Sequence, residues 1–191
     1  KNVFNILGVR YIQADCEADL VCCELYKKNV VKACLSNDMD FLPSGCGKLV
    51  RNYNLSNKVL LYNLEGILDK LDITYEQFVD FCILCGCDYT VKIPRLGCET
   101  AYKFIKQYRT IEAIIENHCG EGKKFILPHN FEYQKSRELL KNEYKKCDYK
   151  IENNFIAKKK LSDIKESQIA YILSMTRYTD KQKQLKQLQN K

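Results

Sequence analysis

The residues best suited to chemistry in this chain are carboxylates. Asp38 and Asp40 stand two apart in Ser36-Asn37-Asp38-Met39-Asp40-Phe41-Leu42, directly after the apolar run Val30-Val31-Lys32-Ala33-Cys34-Leu35. In an extended segment, side chains at i and i+2 point the same way. The pair then converges at the carboxyl end of a strand, the edge where open α/β sheets bind ligands. Two anions held that close repel unless a cation lies between them. Glu17 and Asp19 follow a second strand-like run, and Asp88 follows an apolar helical segment. The helix dipole alone would account for acidic residues in a first turn, and an Asp after a helix often caps the next turn. What lifts Glu17 and Asp19 above the dipole explanation is an edge shared with Asp38 and Asp40, and Asp88 is a candidate fifth carboxylate. Five oxygen donors with no His nearby suit Mg²⁺ or Mn²⁺ rather than zinc. Two such ions about 4 Å apart bind a phosphodiester, activate a water and stabilise the leaving oxygen.

The elements that must position these groups follow from periodicity. Residues 9–14 alternate and are rich in Val, Ile and Tyr, which predicts a strand. Asp15 is the expected N-cap of a helix with Ala18, Val21, Cys22 and Leu25 on one face, ending at Lys27-Lys28-Asn29. A strand over residues 30–35 completes a β-α-β unit, hence a right-handed crossover in a parallel sheet. Residues 48–52 and 58–63 read as further strands joined by a turn, and Leu64–Leu71 as a short amphipathic helix. Thr74-Tyr75-Glu76-Gln77 is a capping box opening a helix that is apolar almost all round and stops at Gly86.

Residues 92–101, broken by Pro94 and Gly97, form a joint between two helices. Backbone N–H groups at the second helix's start offer a phosphate seat, although such joints are also ordinary packing units. Lys92, Arg95, Gly97, Thr100, Lys103 and Lys106 are the candidate DNA contacts. Ala101, Phe104, Ile105 and Tyr108 mark the buried face of that helix, and Ile111, Ile114 and Ile115 mark the next. Residues 117–130 read as a flexible link, with His118 and His129 on the surface. Residues 133–146 and 161–189 read as polar, basic helices. The expected class is α/β, a parallel-sheet core followed by a helical region. The expected division is 1–90, 91–116 and 117–191.

Composition narrows the classes. The 191 residues, 46% hydrophobic and 29% charged, suffice for one generous domain. No apolar run is long enough to span a membrane, and no secretory signal is recognisable. The chain begins without Met and reads as a fragment of something longer. Eleven cysteines, an odd number set mostly in apolar periodic segments, point to free thiols in a reducing, intracellular compartment. A zinc site using Cys82, Cys85, Cys87 and Cys98 is the alternative. The formal charge is +7. Residues 1–140 balance at 18 basic and 18 acidic, and residues 141–191 carry 13 basic against 6 acidic. A neutral body with a basic tail suits an acidic partner, nucleic acid first. No P-loop, GxGxxG or Ser-His-Asp arrangement is present.

Three motifs in order carry a resemblance: Gln13-Ala14-Asp15-Cys16-Glu17-Ala18-Asp19, then Ser36-Asn37-Asp38-Met39-Asp40, then Phe78-Val79-Asp80-Phe81-Cys82-Ile83-Leu84-Cys85-Gly86-Cys87-Asp88-Tyr89. Over roughly residues 3–140 the chain resembles the internal domain of the flap endonuclease/XPG family of structure-specific 5′ nucleases. The resemblance implies a PIN-like core and metal-site roles for Glu17, Asp19, Asp38, Asp40 and Asp88 around two Mg²⁺ ions, with Mn²⁺ able to substitute. It implies that residues 92–101 are a helix–two-turn–helix gripping duplex DNA beside a flap, with a K⁺ on main-chain carbonyls. The implied substrate is branched or flapped double-stranded DNA, and nuclear residence follows if the source is a eukaryotic cell. Asp19 stands where the family has Glu. The family's Gly-Ile-Gly-Pro-Lys is here Arg95-Leu96-Gly97-Cys98-Glu99. The family's N-terminal segment, with two further aspartates, has no counterpart before Lys1, and no sliding-clamp peptide with paired aromatics is visible. A non-catalytic DNA-binding module with the same fold is the rival reading.

Overall fold

Helix α1, Ala18–Lys27, sets the frame for the acidic edge, and its two ends explain what flanks it. A computed structural model of the chain describes residues 4, 6, 11–14, 17–52 and 59–141. Expectations for Asp15, most of the turn after Asn52, residues 142–146, the helix over 161–189 and the basic tail fall outside the described residues. The chain divides into two compact units, Ala14–Asp148 and a second formed by Lys1–Gln13 with Tyr149–Lys191. In the latter, Phe4 and Ile6 are helical, and the Phe4 and Tyr11 rings lie 5.7 Å apart. Residues 11–14 carry no regular structure, so the strand expected over 9–14 is not formed in its described part.

In α1 the N-cap is Glu17, and Asp19 falls in the first turn, where the dipole favours an acid. Leu20, Val21, Cys23 and Leu25 are buried. At the far end Asn29 turns left-handed (φ 58°), and the Val30 N–H bonds back to the Leu25 carbonyl at 2.9 Å. This closing turn consumes residues 29–31, so the strand expected from residue 30 shrinks to β1, Cys34–Leu35. Strand propensity in Val30-Val31 lost to the helix's need to satisfy its last carbonyls.

Strand β2 (Lys48–Arg51) pairs parallel with β1, Cys34 opposite Leu49, and antiparallel with β3 (Leu60–Asn63), Leu49 opposite Tyr62. The sheet among the described residues is therefore a small mixed one, order β1-β2-β3, not the parallel core expected. The connection from Arg51 to Leu60 is too short for a parallel crossover, which needs a dozen residues or more, so β3 has to return antiparallel.

Helix α2, Leu64–Leu71, starts directly from β3 and is anchored by the Leu64 N–H on the Gly47 carbonyl at 2.9 Å. Helix α3, Tyr75–Cys85, opens on the expected capping box: Gln77 N–H donates to Thr74 Oγ1 and Thr74 N–H to Gln77 Oε1. Val79, Ile83 and Leu84 lie in the core. Gly86 follows at φ 112°, a conformation that suits glycine. Helices α4 (Cys98–Tyr108), α5 (Ile111–His118) and α6 (Tyr133–Lys141) complete the unit, with α4 and α6 packed on α3 and α5 on α4. Ala101, Ile105, Ile111 and Ile114 are fully buried, as their spacing predicts.

The expected flexible link over 117–130 is instead a packed turn. Cys119 bridges Phe125, both are buried, and Phe125 N–H donates to the His118 carbonyl at 3.0 Å. His118 is half-buried, stacked on Phe104 at 4.2 Å and edge-on to Tyr108, rather than a surface residue; His129 is exposed. The nine described cysteines are all free thiols.

Candidate metal-carboxylate site and the adjoining helix joint

The loop after β1 holds Asp38 and Asp40 by its own polar side chains. Ser36 N–H still donates to the Val50 carbonyl across the sheet at 3.1 Å. Then Ser36 Oγ accepts from Asp38 N–H at 3.1 Å, and Asp38 Oδ1 accepts from Asp40 N–H at 2.9 Å. Two consecutive side-chain turns replace the extended segment expected here, because Ser and Asp side chains compete with the strand ladder for backbone donors. Asn37 Oδ1 accepts from Asn52 N–H at 3.1 Å, and buried Phe41 and Leu42 pin the other end. The two aspartates come together through a turn, not through strand alternation.

Electrostatics join this loop to the other predicted carboxylates. Burial, then Asp38, Asp88 and Asp19, push the Asp40 carboxyl above the ordinary carboxylate range. Burial, then Asp38 and Glu17, do the same to Asp19. All five residues thus act within one negative field, contributed by the start of α1, the loop and the segment after α3. Tyr89 belongs to it as well: burial first, then Asp40, Glu17 and Asp19, push its phenol up to about 12. Neither Tyr89 nor Ser36 was expected at the site. Their signal was adjacency, Tyr89 to Asp88 and Ser36 two before Asp38.

The donor set is oxygen only and densely anionic, which fits a hard divalent cation. Among the described residues, no group of three or more His, Cys, Asp or Glu is closed around a point that could hold an ion. The carboxylates share a field without converging, and that statement also covers the cysteines weighed for zinc. Burial pushes the Cys82 thiol up to about 12.

Beyond Asp88 the chain makes the α3–α4 joint. The Lys92 side chain lies across Gly86, where an added Cβ would stand 1.9 Å from Lys92 Cε. Ile93 and Leu96 are buried and linked by Leu96 N–H on the Ile93 carbonyl at 3.2 Å. Between them Arg95 is exposed and left-handed, φ 65°. Gly97 is the N-cap of α4, with no capping side chain and open space where a Cβ would be. Thr100 is half-buried, and Lys103 is exposed on α4. Lys106 is engaged within the fold: its ammonium pairs with the Asp72 carboxylate and donates to the Asp72 carbonyl at 2.7 Å.

Residues 8–88 match the family model described as the XPG I-region, a span that contains all five carboxylates. Over that span the chain is similar to the XPG I-region. The match ends on Asp88, so the α3–α4 joint adjoins it. Flap endonuclease 1-2 of Paramecium tetraurelia is 40% identical over 149 residues, covering 72% of this chain and 38% of its own. The chain spans less than two fifths of the length of such curated relatives. Among solved structures, flap endonuclease-1 from Methanococcus jannaschii shares the fold, with a TM-score of 0.64 at 23% identity over 78% of this chain and 44% of that one. The catalytic core of Rad2 in complex with DNA substrate aligns with a TM-score of 0.56 at 26% identity, over 60% of this chain and 38% of that one.

Proposed function

We propose that this chain is the I-region and adjoining helical part of a structure-specific 5′ nuclease acting on branched or flapped double-stranded DNA. The observation that carries the reading is the common field of Glu17, Asp19, Asp38, Asp40 and Asp88 inside an XPG I-region. In this reading those five carboxylates hold divalent metal, Mg²⁺ or Mn²⁺. When bound, such ions supply charge neutralisation of the phosphodiester and a more acidic attacking water. The Ser36 and Asp38 side-chain turns hold the loop's two acids in place beforehand. Tyr89, next to Asp88, lies in the same negative field. Full catalysis draws on two further aspartates that the family resemblance places in an N-terminal segment.

The α3–α4 joint is the proposed duplex grip, a helix–two-turn–helix. Exposed Lys92, Arg95 and Lys103 supply backbone attraction. The bare Gly97 cap leaves the first N–H groups of α4 open to a phosphate, with Thr100 one turn on. Lys106 contributes through its hold on Asp72 rather than as a free cation, which revises its predicted role. A K⁺ on the joint's carbonyls belongs to the same proposal. So does an intracellular setting, which the free thiols favour.

One observation favours the second reading, a DNA-binding module without cleavage: the described acids do not converge on one point. A labelled 5′-flap duplex decides between them. Binding by fluorescence anisotropy that weakens steeply with salt, with Mg²⁺-dependent cutting that Asp38→Ala abolishes and binding that it spares, supports the nuclease. Salt-sensitive binding without cutting, even with the N-terminal segment of a flap endonuclease supplied, supports the module. No binding at low salt sinks both.

A further inference from the structure

The end of the sheet away from the acidic loop holds a cavity that the nuclease reading does not use. The loop lies at the carboxyl end of β2, where Arg51 Nη1 reaches Met39 Sδ at 2.9 Å. Lys48, the first residue of β2, stands about 10 Å back along the strand, opposite Asn63 of β3. An open cavity of about 600 Å³ lies there, between the end of α1, the turn before β2 and the start of α2. That size suits a small-molecule ligand. Two glycines shape its wall. Gly45 is left-handed at φ 87°, and an added Cβ would collide with the Lys27 side chain; at Gly47 it would stand 2.5 Å from the Tyr26 hydroxyl. Tyr75 is pinned by its hydroxyl, which donates to the Pro43 carbonyl at 2.7 Å. Four charged side chains line the cavity: Lys27 of α1, Lys48 of β2, and Glu65 and Asp69 of α2. All four are exposed, and among the described residues none of them is in an ion pair. Glu65 and Asp69 stand one turn apart on α2, where like charges repel unless a donor meets them. Asn63 precedes α2 without capping it, so the helix does not use its amide.

We propose that this cavity binds a nucleoside phosphate. Lys27 and Lys48 take the phosphate through charge-assisted hydrogen bonds. Glu65 and Asp69 accept from the sugar hydroxyls, the role an acidic side chain plays at a ribose. Tyr26 and Tyr75, with Leu64 and Leu68 of α2, offer the base aromatic and aliphatic surface. A ligand with an anionic end, hydroxyl donors and a planar ring uses both signs of charge and the rings together. The carboxylates would repel a bare phosphate, and the lysines a bare cation. A peptide carrying both charges is the competing occupant. It makes less use of the two tyrosine rings. The site stands at the opposite end of β2 from Asp38 and Asp40, so it needs no metal and does not depend on the nuclease reading.

The test is isothermal titration calorimetry on the full chain at low salt, with EDTA present to silence metal-mediated binding at the acids. Adenosine monophosphate is the probe, and adenosine, inorganic phosphate and a Lys-Glu dipeptide are the comparisons. One saturable site for adenosine monophosphate is expected, with adenosine and phosphate each at least about tenfold weaker. Lys27→Ala and Lys48→Ala, both changes at exposed positions, should each weaken it by about fivefold or more. Asp69→Ala should weaken adenosine monophosphate yet strengthen inorganic phosphate, a split that general charge effects do not produce. Lys70→Ala, an exposed lysine of α2 outside the cavity, should change neither. Absence of saturable binding overturns the proposal. So does full affinity in the Lys27→Ala/Lys48→Ala double variant, or phosphate binding as tightly as the nucleotide. Saturable dipeptide binding without nucleotide binding overturns it in favour of a peptide.

Discussion

Replacing Arg137 by Met tests the account of how the helices behind the site are held. Arg137 Nε and Nη2 reach Asp80 Oδ1 and Oδ2 at 2.8 and 2.9 Å, a bidentate pair joining α6 to α3. The Asp80 side chain is 6% exposed and that of Arg137 25%. Asp80 Oδ2 also accepts the Ile111 N–H at 3.2 Å, tying in the start of α5. Losing one partner of a buried pair costs about 3–5 kcal/mol, chiefly because the other charge is stranded. The remaining Ile111 N–H and the partial exposure of Arg137 place this case near the lower bound, about 3 kcal/mol. Glu112, also bonded to Arg137 at 2.9 and 3.1 Å, is 45% exposed and adds less than about 1 kcal/mol. With a urea slope of about 1.5 kcal/mol/M, the midpoint should fall by about 2 M. The double variant Asp80→Leu/Arg137→Met strands no charge but leaves the Ile111 N–H without its acceptor, so it should recover only part of that loss. Arg137 holds the Glu112 carboxyl below its ordinary value. The folded value is thus lower than the unfolded one. That contribution is complete above the unfolded value of 4.5 and fades as pH falls through the depressed folded value. An Arg137→Met loss below about 1 kcal/mol, or a double variant no better than the single, would refute the stranded-charge reasoning.

Three smaller substitutions probe the joint and the helix that leads to it. Arg95→Gly relieves a left-handed residue and should stabilise by about 0.5–1 kcal/mol in urea, while lowering the salt slope of flap-DNA binding by about 1. Gly86→Ala should destabilise by about 1–3 kcal/mol, since φ 112° disfavours any side chain and the new Cβ meets Lys92; an unchanged midpoint would contradict this. Thr74→Ala removes half of the capping box and should cost about 1 kcal/mol, with Thr74→Ser close to wild type.

What could be read from the sequence was local. The Leu64–Leu71 helix, the Thr74–Gln77 box and the stop at Gly86 are decided by residues within a few positions of one another, and all appear where expected. Where local preference met a competing local demand, the reading failed. Val30 and Val31 look like strand, yet the α1 terminus uses the Val30 N–H. Ser36 and Asp38 look like an extended run, yet their side chains take the backbone donors. Contacts between distant positions left no trace at all. Asp80 and Arg137 are 57 residues apart, and neither carries a mark of the other. His118 in a polar stretch gave no sign of stacking on Phe104. Spacing and motif order singled out the five acids, which share one negative field. The side-chain turns that hold Asp38 and Asp40 were not legible.

The central claim is that these five acids form a divalent-cation site, and Mn²⁺ binding followed by electron paramagnetic resonance tests it most directly. The account predicts saturable binding to the wild-type chain, displaced by Mg²⁺ and weakened at least about tenfold in Asp40→Asn. Without metal, Asp40→Asn should be as stable as wild type or more so, because one repelling charge is gone. Absence of saturable Mn²⁺ binding, or equal affinity in Asp40→Asn, would contradict it.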